Sequence, residues 1–182
     1  MIAIPFAAGS VLVVLGWLVF RAVVCIRTRQ FHWKREAVQL LFLVNLLVIH
    51  RMTFHPFEKL NGQVQPLLFD IHTAWPFRMN LIPFVNLTDY DSKRDLLLNI
   101  IGNCTMFIPT GIMTPLLYKH LNSFRKVTFT GFAISLAIET IQLPFAVRCS
   151  DVDDLILNTV GCMAGFGIYA IGKACSKRRK FK

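Results

Sequence analysis

Charged residues are scarce in this chain of 182 residues: Asp, Glu, Lys and Arg together make up 16% of it, against about 25% in soluble domains. Acidic residues are the scarcer sign, with ten against 20 basic ones. The five cysteines are scattered and unpaired in spacing, which argues against a disulfide framework. No repeat and no low-complexity linker interrupts the sequence. The scarcity of charge argues against a water-soluble globule, and the 54% hydrophobic content excludes a disordered chain.

Long apolar runs take the place of the missing charges. A membrane-spanning helix needs about 20 mostly apolar residues, and five runs approach that length: Ile2–Ile26, Ala37–Ile49, Leu96–Tyr118, Val127–Val147 and Leu155–Gly172. The second run has 13 residues, so we expect it to extend toward Met52 or to be partly buried. The sequence predicts an all-α, polytopic membrane helix bundle of about five transmembrane helices, forming one membrane domain over residues 1–182.

The first run has particular features at both ends. It lacks a basic segment before it and a small-residue cleavage site after it, so we expect a retained helix rather than a cleaved signal. Arg21 stands close enough to the end of the run to reach the membrane surface by snorkelling.

The distribution of basic residues predicts the orientation, because cytoplasmic loops retain Lys and Arg. One side of the predicted spans holds 14 of the 20: Arg21, Arg27, Arg29, Lys34, Arg35, Lys119, Arg125, Lys126, Lys173, Lys177, Arg178, Arg179, Lys180 and Lys182. We therefore expect the N-terminus outside, the C-terminus in the cytoplasm, and a basic cytoplasmic tail at 173–182. Topology accounts for the net charge of +10, so no nucleic-acid partner is expected, while the tail is suited to membrane lipid.

Polar residues gather near the outer ends of two of these spans. Asn99 and Asn103 share one face of the third span, four residues apart. Ser135, Glu139 and Gln142 form one stripe on the fourth. If that span runs to Val147, Glu139 lies about 12 Å below its end. An ionisable group inside a membrane is costly, so Glu139 is a functional candidate.

The fifth span adds Asp154 and Asn158 on one face, with Arg148 and Asp151 just before it. Three helices thus direct polar groups to one level in the outer half of the membrane. Two interpretations stay open: an outward-facing cavity that binds a ligand, or interhelical hydrogen bonds that fasten the helices. The predicted ligand-binding set is Asn99, Asn103, Ser135, Glu139, Gln142, Arg148, Asp151, Asp154 and Asn158.

Other motifs have simpler explanations. The histidines show no metal-ligand spacing, so we expect neither a metal nor a cofactor. Asp151, Asp153 and Asp154 favour capping of the fifth helix over binding of a divalent cation. Gly161 and Gly165 form a small-residue ridge that lets another helix approach closely.

In these motifs the chain resembles the VanZ-like family of bacterial membrane proteins. The matching segments lie between Arg78 and Tyr169, the expected VanZ-like core at 78–169: Asn80–Phe84, Asn99–Asn103, Phe107–Gly111, Ser135, Ile138–Glu139, Gln142, Arg148, Asp151, Asp153–Asp154 and Asn158–Gly161. The resemblance implies a multi-pass protein of the bacterial cell membrane. It also implies a link to teicoplanin resistance without remodelling of the peptidoglycan precursor. It transfers no catalytic residue.

Three functions remain compatible with the sequence. The first is binding of a lipid-linked cell-wall precursor or another anionic envelope ligand, with Arg148 facing the anionic group. The second is an enzyme acting on a cell-wall or lipid carrier, with Glu139 as general acid or base because burial raises carboxyl pKa values. The third is a structural partner of another membrane protein through the Gly161–Gly165 ridge. The sequence leaves the oligomeric state open.

Overall fold

The all-α class is confirmed by the computed structural model, which describes residues 2–28, 32–55, 59–60, 62–75, 78–85, 92–146 and 149–179. Within these residues there are five long helices: α1 (Phe6–Thr28), α2 (Trp33–Phe54), α3 (Lys93–Leu117), α4 (Phe124–Gln142) and α5 (Val152–Arg179). Six short strands accompany them: β1 (Ile2–Ile4), β2 (Lys59–Leu60), β3 (Gln63–Val64), β4 (Leu67–Phe69), β5 (Met79–Asn80) and β6 (Ser150–Asp151). Two 3-10 segments, Ile71–Ala74 and Lys119–Leu121, are also present.

Four of the helices in the described part are long and apolar enough to cross a membrane: Phe6–Arg27, Trp33–Phe54, Lys93–Leu117 and Val152–Lys177. The run predicted as too short, Ala37–Ile49, is the middle of α2, which has 22 residues. Helix α2 begins at Trp33. The apolar run was predicted to begin only at Ala37 because Lys34, Arg35 and Glu36 are charged.

The fourth predicted span was wrong at its outer end. Helix α4 stops at Gln142, five residues before Val147, and has 19 residues. Pro144 lacks a backbone N–H and cannot continue the hydrogen-bond ladder. The chain turns instead, with the Leu143 N–H donating to the Thr140 carbonyl (3.4 Å) and the Phe145 N–H to the Gln142 carbonyl (2.9 Å). Helix α4 contains three charged residues, Arg125, Lys126 and Glu139, and is not one of the four helices that are long and apolar enough to cross a membrane.

Contacts divide the chain into two compact units, of which the first comprises Met1–Arg78 and Thr140–Ser150. In it α1 and α2 run antiparallel, because Arg21 pairs with Glu36 (2.5 Å) while Gly9 lies against His50 at the other end. Arg21 therefore does not snorkel: its side chain is buried, and the carboxylate on α2 neutralises it.

Short antiparallel pairs border these helices in the first unit. Strand β1 pairs with β4, with Ile2 opposite Phe69 and Ile4 opposite Leu67. Strands β2 and β3 form a hairpin, and Gly62 in its turn has a φ of +77°, which glycine adopts without steric cost.

The second unit comprises Met79–Glu139 and Asp151–Lys182, and the α3–α5 pair is its centre. The two helices run parallel and touch through their backbones. A Cβ atom on Gly161 would lie 2.0 Å from the Cys104 carbonyl oxygen, and one on Gly165 would lie 2.1 Å from that of Ile108. Only glycine permits such an approach, so the predicted small-residue ridge is filled by α3 of the same chain.

Helix α4 covers the other side of α5 in this unit. The Cys162 thiol contacts the Val127 carbonyl at 3.5 Å, and both side chains are fully buried together with Phe107. The apolar core of the second unit therefore lies in the middle of these helices. The polar side chains lie nearer the end formed by the N-termini of α3 and α5.

Candidate functional site

The predicted polar residues of the second unit meet at one end of it. This end comprises the N-terminal halves of α3 and α5 and the last turns of α4 that belong to the unit. Seven of the nine predicted site residues lie there: Asn99, Asn103, Ser135, Glu139, Asp151, Asp154 and Asn158. They form three sets of hydrogen bonds.

The first set is the cluster Asn99–Asn103–Asp154, which joins α3 to α5. The Asn103 Nδ2 donates to Oδ1 of Asp154 at 2.5 Å and lies 3.4 Å from Oδ1 of Asn99. All three side chains are half-buried, so part of their polar surface stays accessible. A carboxylate beside two amides offers both donors and acceptors to a ligand.

The second set is buried and joins α4 to α5. Asn158 Nδ2 donates to the Ser135 hydroxyl at 2.9 Å, and both residues are at most 1% exposed. The Asn158 Oδ1 is buried and has no hydrogen-bond partner. An unsatisfied buried acceptor is costly. Among the polar atoms of the predicted site residues, the Asn158 Oδ1 would therefore gain most from a hydrogen-bond donor.

Glu139 forms the third set. Its Oε2 accepts the Asp151 N–H at 3.0 Å, and its side chain is 7% exposed. Since α4 ends at Gln142, Glu139 is only three residues from the helix end, about 4.5 Å at the usual helical rise. The expected depth of about 12 Å was therefore wrong, for the same reason that the helix ends early. The carboxylate binds backbone at the start of α5, where a helix favours negative charge.

Of the other two predicted residues, one lies in the first unit and one is not described. Gln142 belongs to the first unit, and its Nε2 donates to the Thr53 carbonyl at 2.6 Å. It therefore fastens the end of α4 to the end of α2. Arg148, the expected partner of an anionic group, lies outside the described residues.

The predicted capping role of the acidic residues is confirmed for Asp151. Its Oδ1 accepts the Asp153 N–H at 2.9 Å, the usual geometry at the first residues of a helix. Of the described His, Cys, Asp and Glu side chains, no three are grouped in a way that could hold a metal ion.

The same acidic residues hold a loop, which the sequence did not reveal. Asp151 Oδ1 also accepts from Asn80 Nδ2 at 3.2 Å, and Asp153 Oδ1 accepts the Phe84 N–H at 2.8 Å. The segment Asn80–Phe84 and the two acids had stood out in the sequence as separate motifs, but no spacing rule joins positions about 70 residues apart.

These features define a helical membrane protein with a polar cluster at one end of its α3–α4–α5 unit. The chain belongs to the VanZ/LLP1 family, whose model matches residues 10–173. The match includes α1 and α2, so the family likeness extends well before Arg78, where the sequence motifs begin.

A curated relative is also similar. Protein VanZ of Enterococcus faecium is 30% identical over 102 residues, which cover 56% of this chain and 58% of the relative. The chain therefore matches a little over half the length of that protein. No solved structure matches the chain.

Proposed function

We propose that this chain is a multi-pass protein of the bacterial cell membrane that lowers susceptibility to teicoplanin by binding a lipid-linked or anionic envelope ligand. The observation that carries the proposal is the cluster Asn99–Asn103–Asp154, which stays half-exposed above the buried pair Ser135–Asn158. Membership of the VanZ/LLP1 family and similarity to Protein VanZ support the link to resistance.

The proposed orientation places this cluster toward the outside. Helices α3 and α5 run parallel, and their opposite ends lead to Lys119 and Lys173. Basic residues collect on the cytoplasmic side, so the polar end faces the cell exterior, where envelope ligands and the drug are found.

The chemistry of the cluster suits a ligand rich in hydroxyl and amide groups, such as a lipid carrying sugar or peptide. Amide side chains can donate to its oxygens, and Asp154 can accept from its hydroxyl or N–H groups. An anionic ligand needs a cation as well, and Arg148, three residues before Asp151 in the sequence, is the proposed one.

A second candidate is an enzyme that uses Glu139 as general acid or base on a cell-wall or lipid carrier. The specific observation in its favour is a buried carboxylate with one oxygen fixed by the Asp151 N–H. The third hypothesis, a structural partner that docks on the glycine ridge, loses its support because Gly161 and Gly165 contact α3.

Teicoplanin and vancomycin susceptibility of a Gram-positive host tests the proposal. The host expresses wild type, Asn103→Ala, Arg148→Ala, Glu139→Gln or the control Asn122→Ala, which changes an exposed amide. Membrane abundance is matched by immunoblot. We expect wild type and Asn122→Ala to protect against teicoplanin, and Asn103→Ala and Arg148→Ala to lose protection. Loss in Glu139→Gln alone would favour the enzyme, and no protection by wild type would refute the resistance function.

A further inference from the structure

An exposed apolar loop lies beside the polar cluster and takes no part in it. Leu81 is 68% exposed, Ile82 65%, Phe84 54% and Val85 47%. No charged residue occurs between Met79 and Val85. We call Leu81–Val85 the apolar loop.

Two side chains fix the backbone of the apolar loop by hydrogen bonds. Asn80 Oδ1 accepts the Ile82 N–H at 3.1 Å, and Asp153 Oδ1 accepts that of Phe84 at 2.8 Å. Phe84 has a φ of +63°, a conformation that bulky residues seldom adopt. Strained backbone of this kind persists where the surroundings enforce it, and it concentrates at functional positions.

The depth of the loop follows from the α3–α5 pairing. A Cβ on Gly165 would lie 2.1 Å from the Ile108 carbonyl oxygen and 3.0 Å from the Gly111 Cα, so Gly165 is level with the turn 108–111. Counting back along both parallel helices places Val152, the first residue of α5, level with the turn 95–98. Counting forward places Gly172 level with the turn 115–118. The 20 residues between these levels rise about 30 Å, the thickness of the hydrocarbon layer.

The apolar loop therefore lies where the hydrocarbon layer ends on the polar-cluster side. Leu97, Leu98 and Ile101 of α3 are exposed near that level. Lys93 and Arg94 are exposed one to five residues further out, up to about 8 Å along the helix, near the depth of lipid phosphates.

We propose that the apolar loop inserts Leu81, Ile82 and Phe84 into the bilayer leaflet on the polar-cluster side, with Lys93 and Arg94 on the headgroups. Asp151 and Asp153 act as the support that keeps the loop projecting. Since uncharged apolar side chains favour hydrocarbon over water, the partner is lipid. The inference does not depend on which ligand the polar cluster binds.

Spin-label accessibility of the full chain in phosphatidylcholine–phosphatidylglycerol vesicles tests this. Cys149 and Cys175, the exposed cysteines, are replaced by Ser, and a nitroxide is attached at Ile82→Cys or, as a second loop variant, Leu81→Cys. Ser92→Cys is the matched control, because it is exposed just before α3. The chain without an added cysteine gives the labelling background.

At both loop positions we expect collisions with oxygen to exceed those with a water-soluble nickel chelate, and the reverse order at position 92. Adding Asp153→Ala to Ile82→Cys removes the acceptor of the Phe84 N–H and should shift the loop label toward chelate access. Chelate access at positions 81 and 82 equal to that at 92 would overturn the proposal. Low access to both reagents, which indicates contact with protein such as a second copy, would overturn it as well.

Discussion

Asn103 on α3 donates its amide hydrogen to Asp154 on α5 across 2.5 Å, and this bond joins the two helices at the polar end of their unit. A hydrogen bond to a charged group contributes about 1.5–3 kcal/mol to stability. We expect Asn103→Ala to lower the free energy of unfolding by about 1.5 kcal/mol, because the half-buried carboxylate keeps part of its solvation. Thermal unfolding in detergent measures it. Asn122→Ala, at an exposed site, should change little, and equal loss in both variants would contradict the assignment.

The backbone contact between α3 and α5 predicts a position-specific glycine effect. Gly161→Ala would bring a Cβ to 2.0 Å from the Cys104 carbonyl oxygen, so the helices must separate. Overpacking of this kind costs about 1–3 kcal/mol. Gly167 on the same helix has nothing within 4 Å, and Gly167→Ala should stabilise by up to about 1 kcal/mol through helix propensity.

The unfolding midpoints of Gly161→Ala and Gly167→Ala test whether the effect of the substitution depends on its position along α5. A fall for Gly161→Ala and no fall for Gly167→Ala is the expected pair of results. If both variants unfold like wild type, the helices are further apart than described.

Two substitutions of Glu139 distinguish a structural role of its side chain from a chemical one. A glutamine at this position can still accept the Asp151 N–H through its side-chain oxygen, so we expect Glu139→Gln to reach wild-type membrane abundance. Glu139→Ala removes the side-chain acceptor of that part-buried N–H, at a cost of about 1 kcal/mol, and should lower abundance. Quantitative immunoblots of membrane fractions provide the measurement. Equal abundance of the alanine variant would mean that the 3.0 Å bond contributes nothing.

The buried ion pair in the first unit predicts non-additive mutations. Arg21→Leu leaves Glu36 without its partner, and we expect a loss of about 3 kcal/mol, the lower end for buried pairs, because Glu36 keeps 21% of its side chain exposed. The double variant Arg21→Leu with Glu36→Gln should recover part of that loss, since no charge is left unpaired.

Chemical unfolding of the two single variants and the double variant closes a double-mutant cycle. A coupling energy near zero would show that Arg21 and Glu36 act independently. Arg27→Leu, which changes an exposed residue of the same helix, serves as the control.

The length of the apolar runs predicted the five helices, because runs of that length have few other structures open to them. Their ends were harder to predict. Charged residues at 34–36 obscured the start of α2, since one of them, Glu36, is neutralised by Arg21 from another helix. The apolar composition up to Val147 predicted a longer α4. The helix ends earlier because Pro144 has no N–H to continue it.

For the site, i and i+4 spacing predicted that Asn99 and Asn103 share a face, and the structure pairs them with Asp154. The same reasoning placed Gln142 with Glu139, yet its amide reaches Thr53 (2.6 Å). The support of Phe84 by Asp153 joins positions 69 residues apart. Such long-range pairings depend on the packing of the helices, which one sequence does not report.

Glycine contacts also determine how this protein can move. Where two helices touch backbone to backbone, neither can slide or rotate without a steric clash, so α3 and α5 travel as a single body. Under the proposed function, a motion that admits a ligand to the unpaired oxygen of Asn158 would have to involve α4, which covers the other side of α5.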